Sequence, residues 1–285
     1  MFKFGTDATL RNSQQNHLVA NGLYIIMNIL IISLSSAIER RNFQQIQMEK
    51  LKLDFEFLEA TSIHDIDEII YKKHAKDWQR PLKNTEVACY YSHQNAWRKI
   101  IQSNEPALIL EDDALLSKYT PKLLADLADK KKCELISLEN RNRKKFVAKI
   151  GESIACASKL FRLYQDRTGA AGYILWPQGA KKLLQCEQKK GIALADAHIT
   201  DCHNIKAYQV EPTPIIQLDQ CRDYAIQNPI NNIATKSTVS SVNNPKGGWA
   251  FRIKRIVFQL KLGLRQVALI TKSERRYITI RKQDF

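Results

Sequence analysis

An α/β fold organised around a buried parallel strand is predicted by three features of this sequence. Residues 107–110, Ala-Leu-Ile-Leu, form a short apolar run opened by Pro106 and stopped by Glu111, Asp112 and Asp113. That is the pattern of a buried strand whose carboxyl end emerges into a loop. A second apolar run, residues 23–34, is rich in Ile and is followed by Ser35-Ser36 and then by a helical period, giving strand, turn and helix in succession. A chain of 285 residues with 44% hydrophobic composition can also bury a full core.

The elements follow in order. Residues 1–22 are polar and aperiodic and read as a disordered arm, so that Met27 could serve as the effective start of the first strand. The run 23–34 is interrupted by Asn28 and is too short for a membrane span, which favours a strand over a signal peptide. Residues 37–51 carry Phe43, Ile46, Lys50 and Leu51 at helical spacing. Residues 55–58 form a second short strand, and 63–81 an irregular helix with a loop. Asn84 or Thr85 can cap the next helix, with Glu86 in its first turn. Cys89, His93, Ala96, Trp97 and Ile100 share one face of it. The chain then predicts a helix over 121–132, a strand over 133–138 ending at Glu139-Asn140, and a solvated basic hairpin tip over 141–145. Strands over 157–164 and 170–176 follow, then a helix from Pro177 to Cys186, a short helical stretch over 193–202, and strands over 205–210 and 215–218. Residues 225–248, rich in Asn, Ser, Thr and Pro, read as a linker.

Charge and cysteine usage narrow the function. Of the net +15, the chain from Pro245 onward supplies +9, from eleven Lys or Arg against two acids, so the body is only mildly basic. This weighs against nucleic acid as a partner, which calls for base-stacking aromatics interleaved with charge on the main domain. Six scattered cysteines include no Cys-x-x-Cys pair and no His spacing suited to zinc, and reduced thiols in a cytosolic protein are the default.

The acidic triplet carries the chemistry. Carboxylates a few ångströms apart repel by roughly 1–4 kcal/mol per pair, depending on screening, unless a cation or proton relieves them. In open α/β sheets ligands collect beyond the carboxyl ends of strands, where these acids stand. Hard oxygen donors suit Mg²⁺ or Mn²⁺ bridging a diphosphate, and neither Cys nor clustered His is expected nearby to suggest zinc. The alternative is that the acids cap the helix near Thr120 or solvate a turn. Ser33, Leu34 and the turn, with Arg40, lie where a nucleotide can meet backbone amides and a positive side chain. Arg40 on a solvated helix face is the competing reading. His93, on an apolar helix face, reads as a hydrogen-bonded core residue or as a further contact on the nucleotide side, together with Asp112.

Three blocks of residues carry a family resemblance. Ile31-Ile32-Ser33-Leu34, Glu39-Arg40-Arg41 and Phe55-Glu56-Phe57 with Ala60 form the first. Glu86-Val87-Ala88-Cys89, Ser92-His93, Ala96-Trp97 and then 107–113 form the second, and Gly172-Tyr173-Ile174-Leu175 with Gly179-Ala180-Lys181-Lys182-Leu183-Leu184 the third. Together, over about residues 29–218, they resemble glycosyltransferase family 25, the lipooligosaccharide galactosyltransferase-like group. The departures are Ser35 at a usually basic position, Thr85 and Ala88 in place of two glycines, and Leu194-Ala195-Asp196 in place of a Pro-Val-Asp stretch. The resemblance implies a GT-A-like, Rossmann-type domain over residues 23–224 that binds a sugar nucleotide. It also implies an inverting outcome and an acidic metal motif at Glu111, Asp112 and Asp113, with Glu111 and Asp113 as metal ligands.

Direct displacement also needs a general base on the acceptor side. Asp196 is the first candidate and Asp201 the second, either of which could instead cap a helix. The expected function is transfer of galactose, or next glucose, from a UDP-sugar to a lipid-linked lipooligosaccharide acceptor. The expected location is the cytoplasmic face of the membrane. Two rivals are a metal-dependent nucleotidyl or phosphoryl transfer enzyme and a non-catalytic basic membrane-associated binding protein. The tail, residues 249–285, begins with an amphipathic helix. Trp249, Ile253, Ile256, Val257, Leu260, Leu264 and Val267 form one stripe, and Lys254, Lys261 and Arg265 line up beside it. This stripe either meets an anionic membrane or packs on the domain, a role that a second strip, Phe251, Phe258, Leu262 and Leu269, could also fill.

Overall fold

The structure, a computed structural model, describes residues 27–165, 169–230 and 248–285. The arm expected over 1–22 and residues 231–247 of the expected linker lie outside the described residues.

The chain opens with β1 (Asn28–Ser33), α1 (Ile38–Leu51), β2 (Glu56–Glu59) and α2 (Glu68–His74). The long helix α3 (Asn84–Ser103) leads into β3 (Ala107–Glu111), followed by β4 (Ala114–Leu116), α4 (Thr120–Ala128) and β5 (Leu135–Ser137). Next come β6 (Lys145–Ala148), β7 (Glu152–Ile154), β8 (Ser158–Gln165) and β9 (Gly172–Leu175). Helices α5 (Pro177–Lys190) and α6 (Ala195–Asp201) precede β10 (Ala207–Glu211) and β11 (Ile215–Gln217), and the described chain closes with α7 (Trp249–Leu269) and β12 (Ser273–Arg276).

One mixed sheet runs in the order β12-β6-β8-β10-β5-β9-β3-β1-β2, with β7 pairing beside β8. β1 is parallel to both β2 and β3, β5 is parallel to β10, and β9 runs antiparallel between β3 and β5. The predicted strand at 107–110 is therefore central, parallel to one neighbour and antiparallel to the other. Its residues alternate between two cores: Ala107 and Ile109 join the side chains of α3, α5 and α6, while Leu108 and Leu110 join those of α1 and α4. Burial on both faces explains the unbroken apolar run, and each buried Leu or Ile contributes about 1.5–3 kcal/mol.

Two local expectations are corrected. Helix α1 does not bury Ile46, which is 65% exposed; it buries Gln44, Gln47 and Met48. The reason is polar: the loop after β3 presents backbone groups that need partners, and the two glutamine amides supply them. The basic stretch 141–145 is solvated at Asn142, Arg143 and Lys144, but not at its end. Lys145 is fully buried, and its Nζ donates to Ser137 Oγ at 3.2 Å, the Glu139 carbonyl at 3.0 Å and Gln209 Oε1 at 2.7 Å. A buried ammonium is tolerable only when its donors are met in this way.

The chain after α7 returns to the sheet. β12 pairs antiparallel with β6, and Ile278 enters the core.

Gly179, near the start of α5, lies against the chain that leads into β5. A Cβ there would lie 2.2 Å from the Glu134 carbonyl oxygen, a backbone atom that cannot step aside. Gly179→Ala is expected to destabilise the protein by about 1–3 kcal/mol through overpacking, measurable by thermal or urea denaturation.

Candidate active site

The carboxyl ends of β1 and β3 meet at Asp112. Ser33 Oγ donates to Asp112 Oδ2 at 2.8 Å, and Arg40 Nη1 donates to Asp112 Oδ1 at 2.8 Å. Helix α1 thus offers Arg40 to the acid loop rather than to solvent, because its first turn follows directly from the β1 turn. Gln44 Nε2 donates to the carbonyls of Asp112 and Ala114 at 3.0 and 2.9 Å, and Gln47 Oε1 accepts from the Leu116 N–H at 2.8 Å. These buried amides pin the loop on which the acids stand. Leu34 contributes its carbonyl, which accepts from Arg41 Nε at 3.0 Å.

Glu111 and Asp113 face the other way, toward each other. Glu111 Oε2 accepts from Gln217 Nε2 at 3.0 Å, and Asp113 Oδ1 is 3.4 Å from the same nitrogen. Glu111 Oε1 accepts from His93 Nε2 at 3.2 Å. His93 is fully buried, and Tyr173 lies 3.0 Å from its Nδ1 while receiving the Trp97 Nε1–H at 2.8 Å. His93 therefore orients Glu111 from behind.

Electrostatics follow from this crowding. Burial, and then the charge of Glu111, push the Asp113 carboxyl up to about 7. The same two causes push Glu139, at the end of β5, to about 8. Burial raises Glu111 as well, but the His93 hydrogen bond and charge, with Arg141 and Arg40, outweigh it and leave Glu111 below its ordinary value. One carboxylate is held charged while its neighbours resist charging.

The donor set fits a divalent cation that prefers oxygen. Glu111 and Asp113 are both partly exposed and share the Gln217 Nε2 donor, while Oε1 of the same amide is buried with no hydrogen-bond partner among the described residues, so a flip of this amide turns an acceptor toward them. An orphaned acceptor beside two repelling carboxylates is the arrangement that Mn²⁺ or Mg²⁺ would relieve.

The structure thus gathers Ser33, Leu34, Arg40, His93, Glu111, Asp112 and Asp113. Asp196, in the first turn of α6, is half-exposed and close enough for its charge to act on the Cys89 thiol, which adjoins Glu111. Asp201 is not part of this group: its carboxylate pairs with Lys190 Nζ at 2.6 Å and lines a cleft of about 590 Å³ beneath α7. The sequence reading missed Glu139 and Gln217 as site residues, although Glu139 ends a strand as Glu111 does. The expectation that no Cys or His lies nearby is also corrected. Cys89 and His93, one turn apart on α3, bring their ligand atoms within 4.8 Å of each other and of a Glu111 oxygen.

Glu139 gives a pH test. Its folded carboxyl titrates near 8 against an ordinary 4.5, so the native state holds a proton that the unfolded chain has released. The contribution of Glu139 to stability is then fully present below about pH 4.5 and is lost as pH rises toward 8. In metal-free protein, Glu139→Gln is expected to raise the thermal midpoint near pH 8 by several degrees and to change it little near pH 4.

Comparisons with known proteins show the family of the chain. The lipooligosaccharide biosynthesis protein lic2B of Haemophilus influenzae is 27% identical over 207 residues, spanning 67% of this chain and 76% of that protein. A glycosyltransferase 25 family member of Aedes aegypti is 28% identical over 185 residues, spanning 61% of this chain and 30% of that much longer protein. The inositol-1-phosphate CTP transferase of T. maritima superposes over 81% of this chain and 96% of its own with a TM-score of 0.38 and 11% identity, too remote to bear on fold or chemistry. The model of glycosyltransferase family 25 (LPS biosynthesis protein) matches residues 26–199, which include β1, the acid loop, α3 and Asp196. The chain belongs to glycosyltransferase family 25.

Proposed function

We propose that this glycosyltransferase moves a hexose, galactose in the first instance and glucose second, from its UDP form to a lipooligosaccharide core acceptor. We further propose inversion at the anomeric carbon on a GT-A-like domain. The observation that carries the reading is the pair Glu111 and Asp113 with the orphaned Gln217 oxygen, standing at the carboxyl ends of the strands where sheet ligands collect. The family and the lipooligosaccharide name of one relative support the substrate class.

Glu111 and Asp113, joined by Gln217 once its amide turns its oxygen toward them, would hold Mn²⁺ or Mg²⁺, which when bound supplies Lewis-acid neutralisation of the leaving diphosphate. The remaining work falls to the chain itself. Asp112, fixed by Ser33 and Arg40, keeps the loop in register with the turn after β1, where backbone N–H groups and the Arg40 charge meet the nucleotide. Asp196 accepts the proton of the acceptor hydroxyl as that oxygen attacks. Asp201, committed to Lys190, is the weaker candidate.

Helix α7 supports a location at the cytoplasmic face of the membrane. No helix among the described residues is long and apolar enough to cross a bilayer. All seven residues of its apolar stripe are exposed, from Trp249 at 76% to Val257 at 43%, whereas Phe251, Phe258 and Leu262 are half-buried and Leu269 is buried. Both strips expected from the sequence therefore exist, the inner one packed toward the body, and Ile253 and Val257 at the edge of the outer one also line the cleft beneath the helix. Lys254 Nζ and Arg265 Nη2 tie the helix to the body through the carbonyls of Lys76 and Tyr164. Arg252 and Lys261 remain exposed on the two flanks of the stripe and complement an anionic lipid surface, at about 1 kcal/mol for each Lys or Arg near it. The occupant we assign to this face is the membrane that holds the acceptor.

Two outcomes are expected. In a screen of UDP-sugars with and without Mn²⁺, the protein transfers or hydrolyses a UDP-hexose. Asp113→Asn lowers that turnover by about 100-fold or more with no loss in thermal midpoint, because removing a crowded charge relieves repulsion. Full turnover in Asp113→Asn would remove the metal assignment. In vesicle sedimentation, binding needs anionic lipid and weakens with salt, and Leu260→Glu with Leu264→Glu abolishes it. Substitution is preferable to truncation here, since β12 follows α7 and belongs to the sheet.

A further inference from the structure

Cys89 and His93 sit at i and i+4 on α3, so both side chains leave the same face of the helix and meet the end of β3. Cys89 Sγ, a ring nitrogen of His93 and a Glu111 oxygen all lie within 4.8 Å of one another, and His93 Nε2 is 3.2 Å from Glu111 Oε1. Zinc binds Cys sulfur at about 2.3 Å and His nitrogen or carboxylate oxygen at about 2.0–2.2 Å, which puts tetrahedral ligand atoms about 3.3–3.7 Å apart. The three donors need to close by only about 1 Å to reach that spacing. Histidine ligands of metals are generally oriented through their second ring nitrogen. Here His93 Nδ1 is already 3.0 Å from Tyr173 Oη, itself fixed by Trp97. Cys89 and Glu111 are both partly exposed, which leaves an entry path and a position for a solvent ligand.

We propose that Cys89, His93 and Glu111 form a site for a thiophilic divalent cation, zinc in the first instance. Because it shares Glu111 with the oxygen site, its occupation turns transfer off. Glu111 presents Oε1 to His93 and Oε2 to Gln217 and the Asp113 side, so the two sites compete for one carboxylate. Their chemistry separates them. A thiolate and an imidazole select zinc, cobalt or cadmium, whereas the Glu111, Asp113 and Gln217 oxygens suit manganese or magnesium. On binding, the Cys89 thiol proton leaves to solvent as the metal–sulfur bond forms. The single ring proton of neutral His93 shifts from Nε2 to Nδ1, so the imidazole stays neutral as Nε2 takes the metal and Nδ1–H donates to Tyr173 Oη. The inhibitory half of this inference rests on the proposed transfer function; the binding half does not.

The test uses full-length protein titrated with Co²⁺ and Cd²⁺, reading thiolate-to-metal charge-transfer absorbance. One equivalent per chain is expected to develop the band in the wild type and in a Cys186→Ser control, and Cys89→Ser is expected to lose it. In the transfer assay with Mn²⁺, zinc is expected to inhibit the wild type at least about tenfold, while Cys89→Ser, as active as the wild type without zinc, resists it. A wild type with no band, or a band that survives Cys89→Ser, would overturn the site. Zinc inhibiting Cys89→Ser as strongly as the wild type would overturn the shared role of Glu111. A protein that transfers no UDP-sugar with any metal would still show the band, so the failure of the proposed function and of this site are distinguishable.

Discussion

Carboxylates that share a partly buried spot repel, and the fold around residues 111–113 is arranged to hold them there nonetheless. Each surrounding element contributes a donor. β1 supplies Ser33, α1 supplies Arg40, Gln44 and Gln47, α3 supplies His93, and β11 supplies Gln217. What these donors do not cancel is left on Asp113 and Glu139, whose carboxyls titrate near 7 and 8. A protein that crowds acids without fully neutralising them holds electrostatic free energy that an incoming cation can release. The two halves of the acid loop divide the labour: Asp112 is committed to the fold, while Glu111 and Asp113 face the open side.

The parts of this arrangement that depend on local pattern were readable from the sequence. The β3 run, the acids that end it, the helical face of Cys89, His93 and Trp97, and the two strips of α7 all follow from periodicity within one element. The α7 strips illustrate this well, since every residue of the outward stripe is exposed and every residue of the inner one is at least half-buried. What periodicity could not reach is pairing between distant elements. Hydrophobicity assigned Ile46 to the core and left Gln44 and Gln47 outside, because nothing within α1 reveals the unsatisfied carbonyls 67 to 70 residues away that those amides serve. Gln217 reached the site for the same kind of reason, through β11 pairing with β4. Lys145 looked like one charge in a basic turn until the sheet placed three oxygens around it.

Cys89 shows how an argument from linear spacing fails. Spacing among cysteines and histidines does not reveal this cluster, because its third ligand atom is a carboxylate oxygen from a strand 18 residues beyond His93. The same proximity couples the interior of α3 to the acid loop. Trp97 fixes Tyr173, Tyr173 fixes His93, and His93 fixes Glu111, so the packing of this core and the electrostatics of the site are one structure.

The central claim is that Glu111, Asp113 and Gln217 form a divalent-cation site at the end of β3. Electron paramagnetic resonance of free Mn²⁺, titrated into the protein with UDP present, measures this directly. The account predicts one bound Mn²⁺ per chain in the wild type and none in the folded Glu111→Gln, Asp113→Asn double variant. Unchanged Mn²⁺ stoichiometry and affinity in that variant would contradict it.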